Sequence, residues 1–330
     1  MPLNPVTASY LLSVLSVPLV LHFHLLSAVF AGLAVHVLTI KLARRFPTAW
    51  GGLTRTVALG ALAIIVMIGL SGMVFGLWAV LHGKGGMGAL LATIAEVLEK
   101  LRNSLPDLLA GEIPATVDDL HDQINTMLRE HGKNLSMVGV AGFKTLAHIL
   151  LGMIVGGMTV LHHFASPEES TPFTAALHAR TEALSDAFDK VVFAQVKIAA
   201  LNTVLTAFYL LAILPLWGTT LPLVTVLIPF TFVTGLLPVV GNLVSNAVIV
   251  LISLGVSPGV ALASLVFLIF IHKLEYFTNA RIVGGEVHAS AWELLSAMLL
   301  LEAMFGLGGL IAAPVAYAWL KTEIKARHLM

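Results

Sequence analysis

Seven apolar tracts decide what this chain can fold into. They run over residues 6–40, 57–81, 135–164, 191–216, 221–254, 260–271 and 291–320. A helix rises about 1.5 Å per residue, so crossing a bilayer core takes about 20 apolar residues. A chain that crosses without water must satisfy its own backbone N–H and C=O groups, which favours helices. The chain is 58% hydrophobic and 11% charged, with mean hydropathy +0.95, where a soluble domain is about a quarter charged. The expectation is an all-α, polytopic integral membrane protein with about eight transmembrane helices, some broken or re-entrant. The first tract has no basic n-region and no small-residue cleavage site, so it reads as a retained span.

Composition also excludes. Net charge is zero, which argues against a nucleic-acid partner. There are no cysteines, so disulfides, thiolate zinc sites and cysteine nucleophiles are ruled out. Walker, dinucleotide, nucleophile-elbow and His-Glu-x-x-His motifs are missing, so the chain reads as a non-enzyme without cofactor. Histidines pair at His22/His24 and His162/His163. The first pair would point to different faces of a helix and the second lies at a span end, so no metal site is expected.

The layout reads as four regions. Residues 1–82 form an N-terminal three-span unit, with Pro18, His22 and His24 marking the break inside the first tract. Residues 83–133 form an extracytoplasmic amphipathic region; Leu90, Leu91, Ile94, Val97, Leu98, Leu101 and Leu105 keep helical spacing over 88–131. Residues 134–190 hold a fourth span and a cytoplasmic helical loop, in which 171–190 reads as a solvated or inter-subunit helix. Residues 191–330 form a C-terminal core with interrupted helices. Lys41, Arg44, Arg45 and Arg55 share a short loop without acids, and Lys321, Lys325 and Arg327 crowd the C-terminus. Both should be cytoplasmic, while 83–133, with five basic and eight acidic residues, faces the other side. The expected location is the cell inner membrane, with both termini cytoplasmic.

Two tracts carry breakers. Residues 221–254 contain Pro222, Pro229, Gly235, Pro238 and Gly241, and "MFGLGGLIAAP" contains Gly306, Gly308, Gly309 and Pro314. Irregular backbone at membrane depth must be buried in protein or line a wet cavity, and a pair of interrupted segments marks a transport site. The alternative is ordinary small-residue helix packing. Pro238, Gly241, Asn242, Asn246, Gly306, Gly308 and Gly309 are therefore candidates for a substrate path.

Charge inside apolar surroundings is the second signal. Glu275 and Asn279 are four apart and share a helix face, with Arg281 near enough to pair. Gly284 and Gly285 punctuate a turn, placing Glu275 and Asn279 at a helix end. Glu302 interrupts "MLLLEAMFG" as an intramembrane carboxylate. Glu275, Asn279, Glu302 and Arg281 are the coupling candidates; structural ion pairing is the alternative for Glu275. Lys144 and His148 are secondary candidates, with Lys144 placed to snorkel.

These residues carry a resemblance. "LLPVVGNLVSN", "EYFTNARIVGGEVH" and "LLSAMLLLEAMFGLGGLIAAPVAYAWL" resemble segments of the autoinducer-2 exporter (PerM-like permease) family. The likeness covers residues 190–325 and is architectural before that. Ala280 follows Asn279, Ala289 follows His288 and Asn242 follows Gly241 where the family has proline, which marks a divergent member. The resemblance implies a secondary transporter moving a small polar solute or quorum signal, with or without ion coupling. It equally admits a sodium(lithium)/proton antiporter. It implies a homo-oligomer in the lipid bilayer, a pentamer among the forms. A non-transporting membrane scaffold or regulator is the alternative of another class.

Overall fold

The computed structural model describes residues 4–47, 50–51, 53–82, 132–162, 171–237, 240–286 and 290–326, with scattered residues between 92 and 126. The elements are α1 (Pro5–His22), α2 (Leu26–Ala43), α3 (Leu53–His82), α4 (Gly132–Leu161), α5 (Pro172–Phe208), a π-helical turn (Tyr209–Ile213), α6 (Leu214–Leu216), α7 (Val224–Gly235), α8 (Val240–Val256), α9 (Pro258–Glu286) and α10 (Ala291–Ala326). No strand occurs among the described residues, and the protein is an all-α membrane protein. Five stretches are long and apolar enough to cross a membrane: 5–22, 26–43, 139–161, 172–216 and 292–326. The apolar parts of α3 and α9, together with α7 and α8, are shorter.

Several expectations shift in detail. The first tract does break, but at Phe23–Leu25, where His24 adopts φ 55; α1 runs through Pro18. Residues 172–190 are not a separate helix: they continue directly into the apolar span as one rod of 45 residues. A π turn at Tyr209–Ile213 precedes Pro215. Proline lacks an N–H and crowds the carbonyl four residues back, and a wider turn relieves both. Gly284 and Gly285 do not make a turn either. α9 runs through them to Glu286, since a mid-helix glycine costs only about 1 kcal/mol. The amphipathic stretch expected over 88–131 lies almost wholly outside the described residues.

The chain divides into two compact units, each drawn from non-contiguous segments: residues 1–71, 139–193 and 283–330 in the first, 72–138 and 194–282 in the second.

In the first unit α2 and α4 meet backbone to backbone. A Cβ on Gly152 would run into the Ala28 carbonyl, and one on Gly156 into that of Gly32. Ala28/Gly32 and Gly152/Gly156 are both four-residue small-residue pairs, the pattern that lets membrane helices approach closely. One turn on, His36 Nδ1 and Thr159 Oγ1 share a 3.1 Å hydrogen bond. Beside this contact, Phe188 of α5 is buried against Val37 and Val315, with Phe30 edge-on at 5.3 Å. The polar groups gather where α1 begins and α10 ends. Arg180 donates to Glu323 Oε2 at 2.6 Å, Tyr10 OH donates to the same oxygen at 3.0 Å, and the guanidinium lies 4.1 Å from the Tyr10 ring centroid. Lys41 pairs with Asp189 and lies over the Phe193 ring.

In the second unit the core is Tyr209, Leu210, Leu214, Leu221, Leu227, Ile249 and Leu268. The Tyr209 ring stacks on Phe267 at 4.0 Å. Tyr209 OH lies 2.9 Å from Ser264 Oγ, which lies 2.8 Å from Ser253 Oγ. Ser253 spends its one proton on the Ile249 carbonyl. A hydroxyl has only one proton, so the chain must run Tyr209 to Ser264 to Ser253. Ala95 is buried, and Gly255 leaves room for the Val97 carbonyl.

The Arg180–Glu323 pair is 15% and 6% exposed. Breaking such a pair leaves an uncompensated charge, at about 3–5 kcal/mol. Glu323→Ala should lower stability in detergent by that amount, measured by denaturant unfolding. Arg180→Met with Glu323→Leu should cost distinctly less than the single change.

Candidate functional site: two glycine-turned hairpins

α7 and α8 form the first hairpin. Their 12 and 17 residues span about 18 and 26 Å, both short of a bilayer core of about 30 Å. The break expected in this tract is present: α7 ends at Gly235, and Pro229 stays inside it. The turn depends on Gly241: a Cβ there would strike the Thr234 carbonyl oxygen. Leu237 N–H donates to the Thr234 carbonyl and Gly241 N–H to the Leu237 carbonyl, so the reversal keeps its own hydrogen bonds.

One face of α5 receives this turn. Gln195 Nε2 donates to the Gly235 carbonyl at 2.8 Å, and Asn202 Nδ2 donates to Asn242 Oδ1 at 2.8 Å. Gly235 packs against Ala199, between the two amides. Gln195, Ala199, Asn202 and Thr206 are four, three and four apart, which aligns them on one helix face. Asn202, Asn242, Thr206 and Ser245 are all buried, and Thr206 Oγ1 has no hydrogen-bond partner. Asn246 is half-buried one turn beyond Asn242.

The second hairpin hides inside α10. Gly306 has φ 61 and ψ −145, a conformation essentially confined to glycine. Lys321 Nζ lies 2.5 Å from Glu293 Oε2 although the two are 28 residues apart. In a straight helix that separation would be about 42 Å. Tyr317 OH donates to the same oxygen at 2.6 Å, 24 residues away, and Ser290 N–H adds a third bond at 3.1 Å. Gly309 closes on the Leu301 carbonyl. The chain therefore reverses at Gly306, and the 292–326 stretch is two arms folded together. The arm 291–305 reaches about 22 Å, again short of a full crossing.

The candidates distribute as follows. Gly241 and Asn242 sit at the first turn; Gly306 makes the second and Gly309 packs it. Gly308 faces open space. Glu302 is exposed, four residues before the reversal and about 13 Å along the arm from Glu293. Lys144 is exposed and His148 half-buried on α4, apart from both turns in sequence. Glu275, Asn279 and Arg281 lie within the backbone of α9, not at its end, and their side chains are outside the described residues, as is Pro238. Sequence reasoning missed Gln195, Asn202 and Thr206, whose signal was amides seven apart in an apolar run. It also missed Glu293 with Tyr317 and Lys321: the last two are four apart on one face, but nothing local ties them to a carboxylate 24 and 28 residues earlier. Among the described residues no group of three or more metal-ligating side chains occurs. In comparisons with protein-family models, curated proteins and solved structures, none matches this chain.

Two measurements check the hairpins. Removing one amide strands its partner, at about 1–3 kcal/mol, while removing both is nearly neutral. Asn202→Leu and Asn242→Leu should each destabilise, and the double variant should recover more than half of the loss in a double-mutant cycle. Trp292 and Thr322 are exposed, and the chain has no native cysteine. Spin labels at cysteines placed there should read under about 25 Å by pulsed electron resonance, where a straight helix gives about 45 Å.

Proposed function

We propose that this chain is a gradient-driven secondary transporter of the autoinducer-2 exporter type, moving a small polar solute through the membrane that holds it. The observation that carries the reading is the pair of hairpins, each packed at a glycine, in which α7, α8 and the arm 291–305 are too short to cross a bilayer. Broken helices of this kind place backbone and polar side chains at membrane depth, where transporters build their sites. Asn242 at the first turn and Glu302 near the second bring polar groups to such positions. The bilayer is the inner membrane with both termini cytoplasmic; the meeting of Tyr10 near the start of α1 with Glu323 near the end of α10 supports a common side for the termini. Assembly as a homo-oligomer goes with the same reading.

One observation favours sodium(lithium)/proton antiport as a second reading. Glu302 is a carboxylate in an apolar arm, exposed rather than buried in an ion pair, and a carboxylate at membrane depth is suited to coupling.

Proteoliposomes discriminate these readings. Solute transport predicts saturable uptake of autoinducer-2 or a similar polyhydroxylated furanosyl compound. Gly306→Ala should slow it by roughly fivefold or more, because alanine in that backbone conformation costs about 1–3 kcal/mol; Glu302→Gln should retain it. A pH change driven by a sodium or lithium gradient, lost in Glu302→Gln, would establish antiport instead. Absence of both uptake and pH change would sink the transport reading and leave a scaffold.

A further inference from the structure

We propose that the α2–α3 connection is a binding surface for anionic phospholipid headgroups. The inference is independent of what the protein transports. The first acidic residue of the chain is Glu96, so nothing before it offsets the basic residues of this connection. Asp189 neutralises Lys41. Among the described residues that leaves Arg44, Arg45 and Arg55, all exposed.

Their neighbours explain why the counter-charge is a lipid rather than a soluble anion. Phe46 and Trp50 stack with ring centroids 5.6 Å apart. Trp50 is 46% exposed and Leu53 66%. Tryptophan at a membrane face sits at headgroup level, with its apolar ring toward the acyl chains. α2 is an apolar candidate span ending at Ala43, and α3 is apolar from Leu53. The connection therefore stands where two apolar helices leave the bilayer. Three backbone bonds hold its described residues: Arg45 N–H to the Leu42 carbonyl, Phe46 N–H to that of Ala43 and Trp50 N–H to that of Pro47. Guanidinium forks bind phosphodiester oxygens bidentately. A zwitterionic headgroup offers the same phosphate but adds a cation that three arginines disfavour.

The test uses purified full-length protein in mixed micelles with brominated phosphatidylglycerol or brominated phosphatidylcholine as quencher. Trp50 emission is the wild-type signal minus that of Trp50→Phe. Phosphatidylglycerol should quench Trp50 well in excess of phosphatidylcholine. Each basic residue near a membrane contributes about fivefold in affinity for anionic lipid, so R44Q/R45Q/R55Q should weaken the excess on the order of a hundredfold. Should that variant fail to fold, 1 M salt on the wild type takes its place, since the Debye length there is about 3 Å. Equal quenching by the two lipids overturns the proposal. So does an excess that neither the substitutions nor salt removes, which would mean adventitious partitioning of the lipid.

Discussion

A polypeptide cannot reverse inside an apolar slab unless two things are settled at once: its backbone groups need partners, and its two arms need somewhere to lie. Glycine settles both here. At Gly241 and at Gly309 the missing side chain lets one arm lie directly on a carbonyl of the other, Thr234 in one case and Leu301 in the other. Much else follows from that contact. With α7 and α8 side by side, the Gly235 carbonyl and Asn242 reach the amides of α5. With α10 folded at Gly306, Lys321 and Tyr317 reach Glu293.

The two units handle buried polarity differently. From Lys197 to Lys273 the second unit's chain has no charged residue between those two. Its interior polarity comes from amides and hydroxyls that satisfy one another, as in Asn202–Asn242 and Tyr209–Ser264–Ser253. Neutral groups cost far less to bury than ions. The first unit keeps charges, but in neutralising sets: Arg180 with Glu323, Lys41 with Asp189, Lys321 with Glu293. The stretch 171–190 supplies one partner to each of two of these sets, the base Arg180 to Glu323 of α10 and the acid Asp189 to Lys41 of α2.

The all-α membrane class was legible because apolar length is a local property, countable residue by residue. The breaks near Gly235 and at Gly306 were legible for the same reason: proline and glycine act on their own neighbourhood. Pro18 misled, because a proline inside an otherwise strong helix is tolerated and the sequence does not say where packing will hold it. The fold-back of α10 was not legible. A glycine with its neighbours reads equally as a kink or a reversal, and only the Glu293–Lys321 contact decides between them. Asn202 was missed because an amide in an apolar run looks like a tolerated exception until its partner, 40 residues away, is known. Gly152 and Gly156 form a small-residue pair that was visible in the sequence, but nothing local says it faces Ala28 and Gly32.

The Glu293 carboxylate closes the open end of the α10 hairpin with bonds from Ser290, Tyr317 and Lys321, while Gly309 closes the other end. The arm between them is thus pinned at two heights by groups that must face the same way. One inserted residue would turn everything beyond it by about 100° and lift it 1.5 Å. Glu293 would then look away from Lys321 while Gly309 stayed in place. The length of this arm is therefore fixed in whole helical turns, and a change in it has to add or remove a complete turn from both arms together.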